Sequence, residues 1–468
     1  MPKATDFWLS IKDIANKTYL ETAVKRYAKW STTYEATAPS FAKQVFTIDP
    51  ENMKTILPTD FERWELGDRR RVMLQDLIQN SIFVVDGKAW EHSRALLRPS
   101  FKKVNTEDTG FFEAHFQELL QVLPTINSFS GLIDVDLQPL FLRMTLDSAT
   151  ELLLGKSFHA QLSHSEPQTK AFVETFDFAT RNVYKYDTLR NGFLSPLGML
   201  NWAFRGGGKD KFTKSCEAVH RAIDDRITQR LQEGFSSAAD IKRYIFLEGL
   251  SQETNDKTQI RDEILSVLFA GRDSTGSLLS NAIFMLARKP EVWNTLREEV
   301  MRVTQGCLPD ASMLRQMKFL RNVLNETLRL FPPIPVNARV ANVNTTLPRG
   351  GGPTGQDPLF VAAGTRVQYH CYAAHRSFET YGPTALEWDP SRWDDASFKP
   401  GWGYLPFNGG PRICPGQVFS TFEFTYILVR MAQEFKSVER REPKMEYESS
   451  IGLSTLNRLG TKVALAKA

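Results

Sequence analysis

"PFNGGPRICPG", residues 406–416, sets one cysteine among three prolines and three glycines, with an arginine two residues ahead of it. A cysteine kept only for packing behaves as a small hydrophobe and needs neither a flexible cradle nor a cationic neighbour. Glycines at 409, 410 and 416 let backbone approach the sulfur closely. The following "GQVFSTFEFTYILVRMAQEF" has the apolar period of a helix. That period predicts Cys414 at or just before a helix N-terminus, with Pro415 as an early helical residue. Unpaired N–H groups and the positive end of the dipole favour a thiolate there. One stabilised thiolate on a glycine-lined loop suits a soft metal centre with a single axial sulfur, and that centre is haem iron.

The rest of the chain narrows the field. Its 468 residues would allow two or three domains by length alone, and 42% hydrophobic with 24% charged residues is an ordinary globular composition. Lys plus Arg is 58 against 54 for Asp plus Glu, and a net charge of +4 is too weak a bias to point to nucleic acid. The cysteines, Cys216, Cys307, Cys371 and Cys414, are scattered and form no CxxC, so neither a zinc ribbon nor a disulfide framework is indicated. "HCYAAH" at 370–375 lacks a second ligand cluster and is read as structural. No segment reaches the ~18 consecutive apolar residues of a membrane span, and the charged N-terminus lacks a signal-peptide core.

"QVFTI" reads as a strand, followed by a helix at "DPENMKTIL" with proline in its first turn. From about residue 86 to 340, apolar residues recur at helical spacing, as in "FLRMTLDSATELLL" and "RDEILSVLFAGRDSTGSLLSNAIFMLA". "LPRGGGPTGQDPLF" at 347–360 reads as a turn-dense connection between short strands. Neither it nor "GGGKD" at 206–210 carries the signature of a phosphate loop. The expectation is a mainly α fold with small β-sheets, an α+β chain. Residues 1–33 would be a linker or juxtamembrane-like segment without an anchor, and 34–468 a single catalytic domain organised around its prosthetic group.

The loop resembles the cysteine-ligand loop of the cytochrome P-450 monooxygenases, Phe-x-x-Gly-x-Arg-x-Cys-x-Gly. Phe407, Gly410, Arg412, Cys414 and Gly416 occupy every fixed position. The resemblance implies haem b held between that loop and a long central helix. Cys414 would be the axial iron ligand, Phe407 would pack beside it, and Arg412 would pair with a haem propionate. "WEHSR" supplies Trp90 and Arg94, four apart on a helix, as further propionate contacts, and Arg339 after "FPPIPVNAR" is another. "NETLRL" resembles the family's Glu-x-x-Arg helix, and "WDPSRW" the loop that completes it. Glu326, Arg329 and Arg392 would form a buried structural triad.

"FAGRDSTG" at 269–276 places Ala270-Gly271 inside a long helix, where glycine costs about 1 kcal/mol against alanine. The cost makes sense if the helix must cross a haem face without blocking bound dioxygen. Asp273 and Ser274 then supply an acid and a hydroxyl for proton delivery to the distal oxygen, with Thr275 as the alternative hydroxyl. Members commonly carry threonine at 274. Serine keeps the hydroxyl and loses the methyl that restricts the rotamer.

"DPENMKTIL", "LGDRRR", "SIFVVDGKAWEHSRALLRPSF", "PVNARVA" and "AAHRSFETYG" resemble the fungal alkane- and fatty-acid-hydroxylating group. Asn80 and Ser81 stand where that group has glycine-rich turn residues. The implied activity is insertion of one atom of O2 into a lipophilic molecule, by hydroxylation or epoxidation, of an alkane, a fatty acid or a fungal secondary metabolite. No GxGxxG lies between a strand and a helix, so electrons would come from a separate FAD/FMN reductase that uses NADPH. The chain would act as a monomer, at the cytosolic face of the endoplasmic reticulum or in the cytoplasm. "NGFLSPLGMLNWAF" at 191–204 would either touch a membrane surface or pack as a core loop. Val267, Phe269 and Val336 are candidate pocket residues. Two rival readings are a peroxide-using or peroxide-rearranging haem-thiolate enzyme and a non-catalytic haem protein.

Overall fold

Asp49, Asp136, Asp210, Asp256 and Asp310 each open a helix by accepting N–H bonds from its first turn. The computed structural model describes residues 18–37, 43–103, 108–163, 166–191, 210–235 and 244–468. The apolar stretch expected as membrane-touching or core-packed lies, from residue 192 on, outside the described residues.

The helices are α1 (Tyr19–Lys29), α2 (Pro50–Lys54), α3 (Asp68–Ile78), α4 (Gly87–Lys103), α5 (Thr109–Gln121), α6 (Leu137–Leu154), α7 (Pro167–Asn191) and α8 (Lys211–Glu233). There follow α9 (Phe246–Glu253), α10 (Lys257–Leu286), α11 (Pro290–Thr304), α12 (Ala311–Gln316), α13 (Lys318–Leu330), the short α14 (Cys371–Ala374) and α15 (Phe378–Tyr381), and α16 (Gln417–Glu434). Helix α2 begins at Pro50, as the sequence predicts, and runs into a wide π turn at Thr55–Thr59. Within the segment expected to be a linker, α1 buries Leu20, Ala23 and Tyr27.

The strands stay in small, separate sheets. β1 (Thr33–Thr37), β2 (Lys43–Thr47), β8 (Arg366–Tyr369), β5 (Asn337–Ala341) and β3 (Trp64–Glu65) lie side by side in that order. β4 (Ile133–Asp136), β12 (Lys462–Lys467) and β9 (Phe435–Arg440) form a second sheet, and β10 (Ser449–Ile451) pairs with β11 (Thr455–Asn457). The turn-dense stretch at 347–360 is itself largely a hairpin. β6 (Thr345–Gly351) pairs antiparallel with β7 (Asp357–Val361), with a register irregularity between Leu347 and Gly351. Mainly α with small sheets is the observed class.

Helix α10 has 30 residues, about 45 Å at 1.5 Å per residue. Its first half, including Ile260, Ile264, Leu265 and Leu268, packs into an apolar cluster with α3, α4, α6, α7 and α8. Its second half, including Leu278, Leu279, Ala282, Ile283 and Leu286, packs into another with α5, α11, α13 and α16. Between these clusters α10 leans on α6: a Cβ built on Gly276 would lie 2.9 Å from Leu142 Cδ2 and 3.3 Å from its Cα, so the two helices meet closely.

Candidate active site

Cys414 lies on the loop that enters α16, with Gly416 as the residue before the first helical turn. The helix starts at Gln417, so Pro415 sits in the turn ahead of the helix and not inside it, contrary to the sequence expectation. The loop is fastened by its own backbone, the Cys414 N–H donating to Phe407 O at 3.0 Å. Tyr369 donates to the Asn408 side chain at 3.1 Å. Gly410 has φ +69°, and a Cβ there would lie 2.4 Å from Leu57 O on the π turn. Backbone cannot yield as a flexible side chain can. Gly410→Ala is therefore expected to destabilise the protein by about 1–3 kcal/mol, read as a lower guanidinium midpoint; an unchanged midpoint would refute this account of the loop.

Burial pushes the Cys414 thiol above its ordinary range. The N–H groups of Gly416 and Gln417 donate to the sulfur and, with the Arg94 charge, pull the other way. Arg94, half-buried on α4, feels that sulfur. One turn earlier on α4, Trp90 packs against Phe61 with 5.4 Å between ring centroids, and the Arg412 guanidinium lies 4.5 Å over the indole. Arg412 bonds Asp86 at 2.7 Å and Val85 O at 3.2 Å, and its buried Nε has no partner. Burial, with Arg339 and Arg70 nearby, lowers its pKa to about 10 against the opposing pull of Asp86. Arg339 is buried on β5 and donates to Ala338 O at 2.8 Å. The four propionate candidates thus come from three separate elements, and three of them bring guanidiniums.

Glu326 and Arg329 are both fully buried and bidentate, with Nε–Oε2 of 2.8 Å and Nη2–Oε1 of 2.7 Å. Arg329 also donates to the carbonyls of His375, Ala385 and Glu387. Arg392 Nε stands 3.5 Å from Glu326, and its terminal nitrogens bond Tyr381 O and Thr384 O. Three contributors escaped the sequence reading. Trp393 Nε1 donates to Glu326 at 3.0 Å, and Asp86 gathers Arg412 together with the N–H groups of Leu66 and Gly67. His375, buried and held neutral with its pKa near 3, joins Arg329 O to the N–H of Leu405 just ahead of the cysteine loop. Asp86 meets Arg412 and His375 meets Leu405 across long stretches of chain, which residue spacing does not show.

From Ile260 to Gly276, α10 is buried except at Arg261 and along Val267, Ala270, Gly271 and Ser274. Those four share one helical face, a narrow accessible stripe where the apolar clusters part. A Cβ on Gly271 would meet Ala149 of α6 at 3.7 Å, an ordinary contact. Gly271 thus borders α6, and the clearance comes from the small side chains of Ala270 and Ser274. Ser274 Oγ donates to Ala270 O at 2.6 Å. Thr275 is buried off the stripe with its hydroxyl unpartnered, and α10 is regular there. Asp273 is buried against Arg272 at 2.9 Å. Phe269 stacks on Phe176 at 4.6 Å and belongs to the core, while Val267 and Val336 are partly accessible.

This donor set fits a haem. A sulfur bonded by amide N–H groups, clustered guanidiniums with an orphaned buried Nε, and an accessible stripe on an otherwise buried helix supply what a ligated, anionic, planar group requires. The sequence profile of the cytochrome P450 family matches residues 24–463. The chain is 41% identical over 454 residues to the cytochrome P450 monooxygenase himC of Aspergillus japonicus, covering 96% of this chain and 78% of that protein. It is 35% identical to the cytochrome P450 monooxygenase fsdH of Fusarium heterosporum over 98% and 81% of the two chains. It is 40% identical to cytochrome P450 52A9 of Candida maltosa over 85% and 77%. A matching profile over nearly the whole length, and fungal relatives spread along it, agree with the cysteine loop. The chain belongs to the cytochrome P450 family of haem-thiolate monooxygenases, oxidoreductases that incorporate molecular oxygen.

Proposed function

We propose that this protein oxidises a lipophilic organic substrate, hydroxylating or epoxidising it with O2 and with electrons from a separate NADPH-dependent FAD/FMN reductase. The observation that carries the reading is the Cys414 sulfur at the amide-lined start of α16, with Arg94 beside it. When bound, haem b supplies the iron at which dioxygen is activated, and the thiolate donates electron density to it. Cys414 would hold the iron, Phe407 would pack behind the ligand loop, and Trp90, Arg94, Arg339 and Arg412 would hold the propionates.

Ser274, on the accessible stripe, would pass on its hydroxyl proton and recover one from Asp273 through water, since its Oγ bonds Ala270 O while the Asp273 carboxyl faces Arg272. Burial raises the Asp273 pKa above its ordinary value, against the pull of Arg272. Thr275, buried off the stripe, is the weaker candidate. Ser274→Ala is expected to raise peroxide released per NADPH several-fold at the expense of product, while Thr275→Val changes the partition little. Equal partition in wild type and Ser274→Ala would remove Ser274 from the relay.

The stripe is apolar apart from Ser274, which suits a hydrocarbon substrate: an alkane, a fatty-acid chain or a lipophilic secondary metabolite. Exposed Lys88, Arg98 and Lys102 on α4, with exposed Ile413 and Val418 flanking Cys414, suit an acidic reductase surface. No helix among the described residues is long and apolar enough to cross a membrane. We propose that the enzyme acts as a monomer, at the cytosolic face of the endoplasmic reticulum or in the cytoplasm. Residues 34–468 act as one catalytic domain, with α1 packed onto it. Spectral titration of the purified ferric protein with alkanes, fatty acids and terpenes, followed by turnover with reductase and NADPH, tests the whole. Product from peroxide alone, with none from NADPH and reductase, would overturn it.

A further inference from the structure

The acid of the proton relay does not stand alone. Arg272, fully buried, spends each guanidinium nitrogen on a different element. Nη1 meets Asp273 at 2.9 Å, Nη2 meets Asp177 of α7 at 2.5 Å, and Nε donates to Leu142 O of α6 at 3.2 Å. The plane also lies over the Phe176 ring, 5.1 Å from its centroid. Asp177 is a quarter exposed and continues outward to Arg181, one turn along α7, at 3.2 Å. The result is a row of alternating charge, Arg181–Asp177–Arg272–Asp273, running from the surface of α7 to the central helix.

Two carboxylates on one guanidinium compete for it. With both carboxylates in place, Arg272 is divided and stabilises the Asp273 anion only in part. With Asp177 withdrawn or neutral, the whole cation falls to Asp273 and holds it ionised, unable to give up a proton. We propose that Asp177 and Arg272 are positioning residues for proton delivery: by sharing the guanidinium of Arg272, Asp177 keeps that cation from holding Asp273 wholly as its anion.

The charged groups facing Asp273 and its partner are few. Arg272 comes from α10 itself, Asp177 and Arg181 from α7, and Arg143 from α6, where it is drawn to Asp147 and Asp177. The β10–β11 turn, which reaches Thr180 and Arg181 at Gly452, brings no charge. Asp177 raises the proton affinity of Asp273, while Arg272 and Arg181 lower it, in agreement with the geometry.

This inference rests on Asp273 being the proton donor, so its test separates the two. Infrared pH-difference spectra of the haem-loaded, substrate-free protein follow the C=O stretch of the protonated buried carboxyl, assigned by its loss in Asp273→Asn. Asp177→Asn, isosteric and partly exposed, is expected to lower the midpoint of that band by about one pH unit or more. Arg181→Gln, on the surface, is expected to raise it, since Asp177 is then released to Arg272. Midpoints unmoved in both variants, or no titrating Asp273 band between about pH 4 and 9, would overturn the assignment. Peroxide formed per NADPH in Asp273→Asn tests the underlying reading separately. An unchanged value there sinks Asp273 as donor; a raised value with unmoved infrared midpoints sinks only the role of Asp177.

Discussion

Cys414→Ala is expected to fold, to lose the thiolate-type red displacement of the Soret band in the reduced carbon monoxide complex, and to retain no monooxygenation. Folding should survive because the sulfur's own partners are backbone amides. The loop is tied by the Cys414 N–H to Phe407, by Tyr369 to Asn408 and by Arg412 to Asp86, none of which needs the thiol. Activity should not survive, since no second sulfur can substitute: Cys216 and Cys371 are buried elsewhere, burial drives the Cys371 thiol to about 12, and Cys307 is exposed past the end of α11, away from the ligand loop. Circular dichroism reports the fold, and haem content with the carbon monoxide spectrum reports the ligand. A variant that kept both the red-displaced band and turnover would end the assignment of Cys414 as iron ligand.

Glu326→Ala should be the most damaging single change to stability. The carboxylate is fully buried and accepts from Arg329 twice, from Trp393 Nε1 and from the Asp389 N–H, with Arg392 at 3.5 Å. Removing it strands a buried guanidinium without its counter-charge, which costs about 3–5 kcal/mol, against a total of about 5–15 kcal/mol for a typical domain. The variant is expected in the insoluble fraction, or to unfold at a much lower guanidinium concentration. Lys318–Asp394 is the contrast: its 2.9 Å pair is half-exposed on both sides, so Lys318→Ala should cost no more than about 1 kcal/mol. Equal effects at the two sites would show that desolvation is not what makes Glu326 matter.

Much of this was legible in the linear chain because the decisive signals are local. The cysteine loop holds its arginine and glycines within ten residues, Glu326 and Arg329 are one helical turn apart, and Trp90 and Arg94 likewise. Short spacing on a helix is already geometry. The long apolar period of α10 and the small residues at its middle were readable for the same reason. The start of α16 was misplaced by two residues, because Pro415 suits a turn ahead of a helix as well as a first turn.

What the order of residues by itself determined is the chemistry on offer: a thiolate before a helix, an acid beside a hydroxyl, and an acid–arginine pair one turn apart. What only the tertiary structure decided is which groups reach one another across the chain. It joined Asp177 to Arg272, Trp393 to Glu326, Asp86 to Arg412 and His375 to Leu405. It also set Ser274 on the accessible stripe while burying Thr275. The physical reason is that a side chain's partner is chosen by the packing of whole helices, and that packing balances apolar contacts spread over hundreds of residues. A charge buried by it must then take whichever opposite charge or carbonyl the fold has brought within about 3 Å.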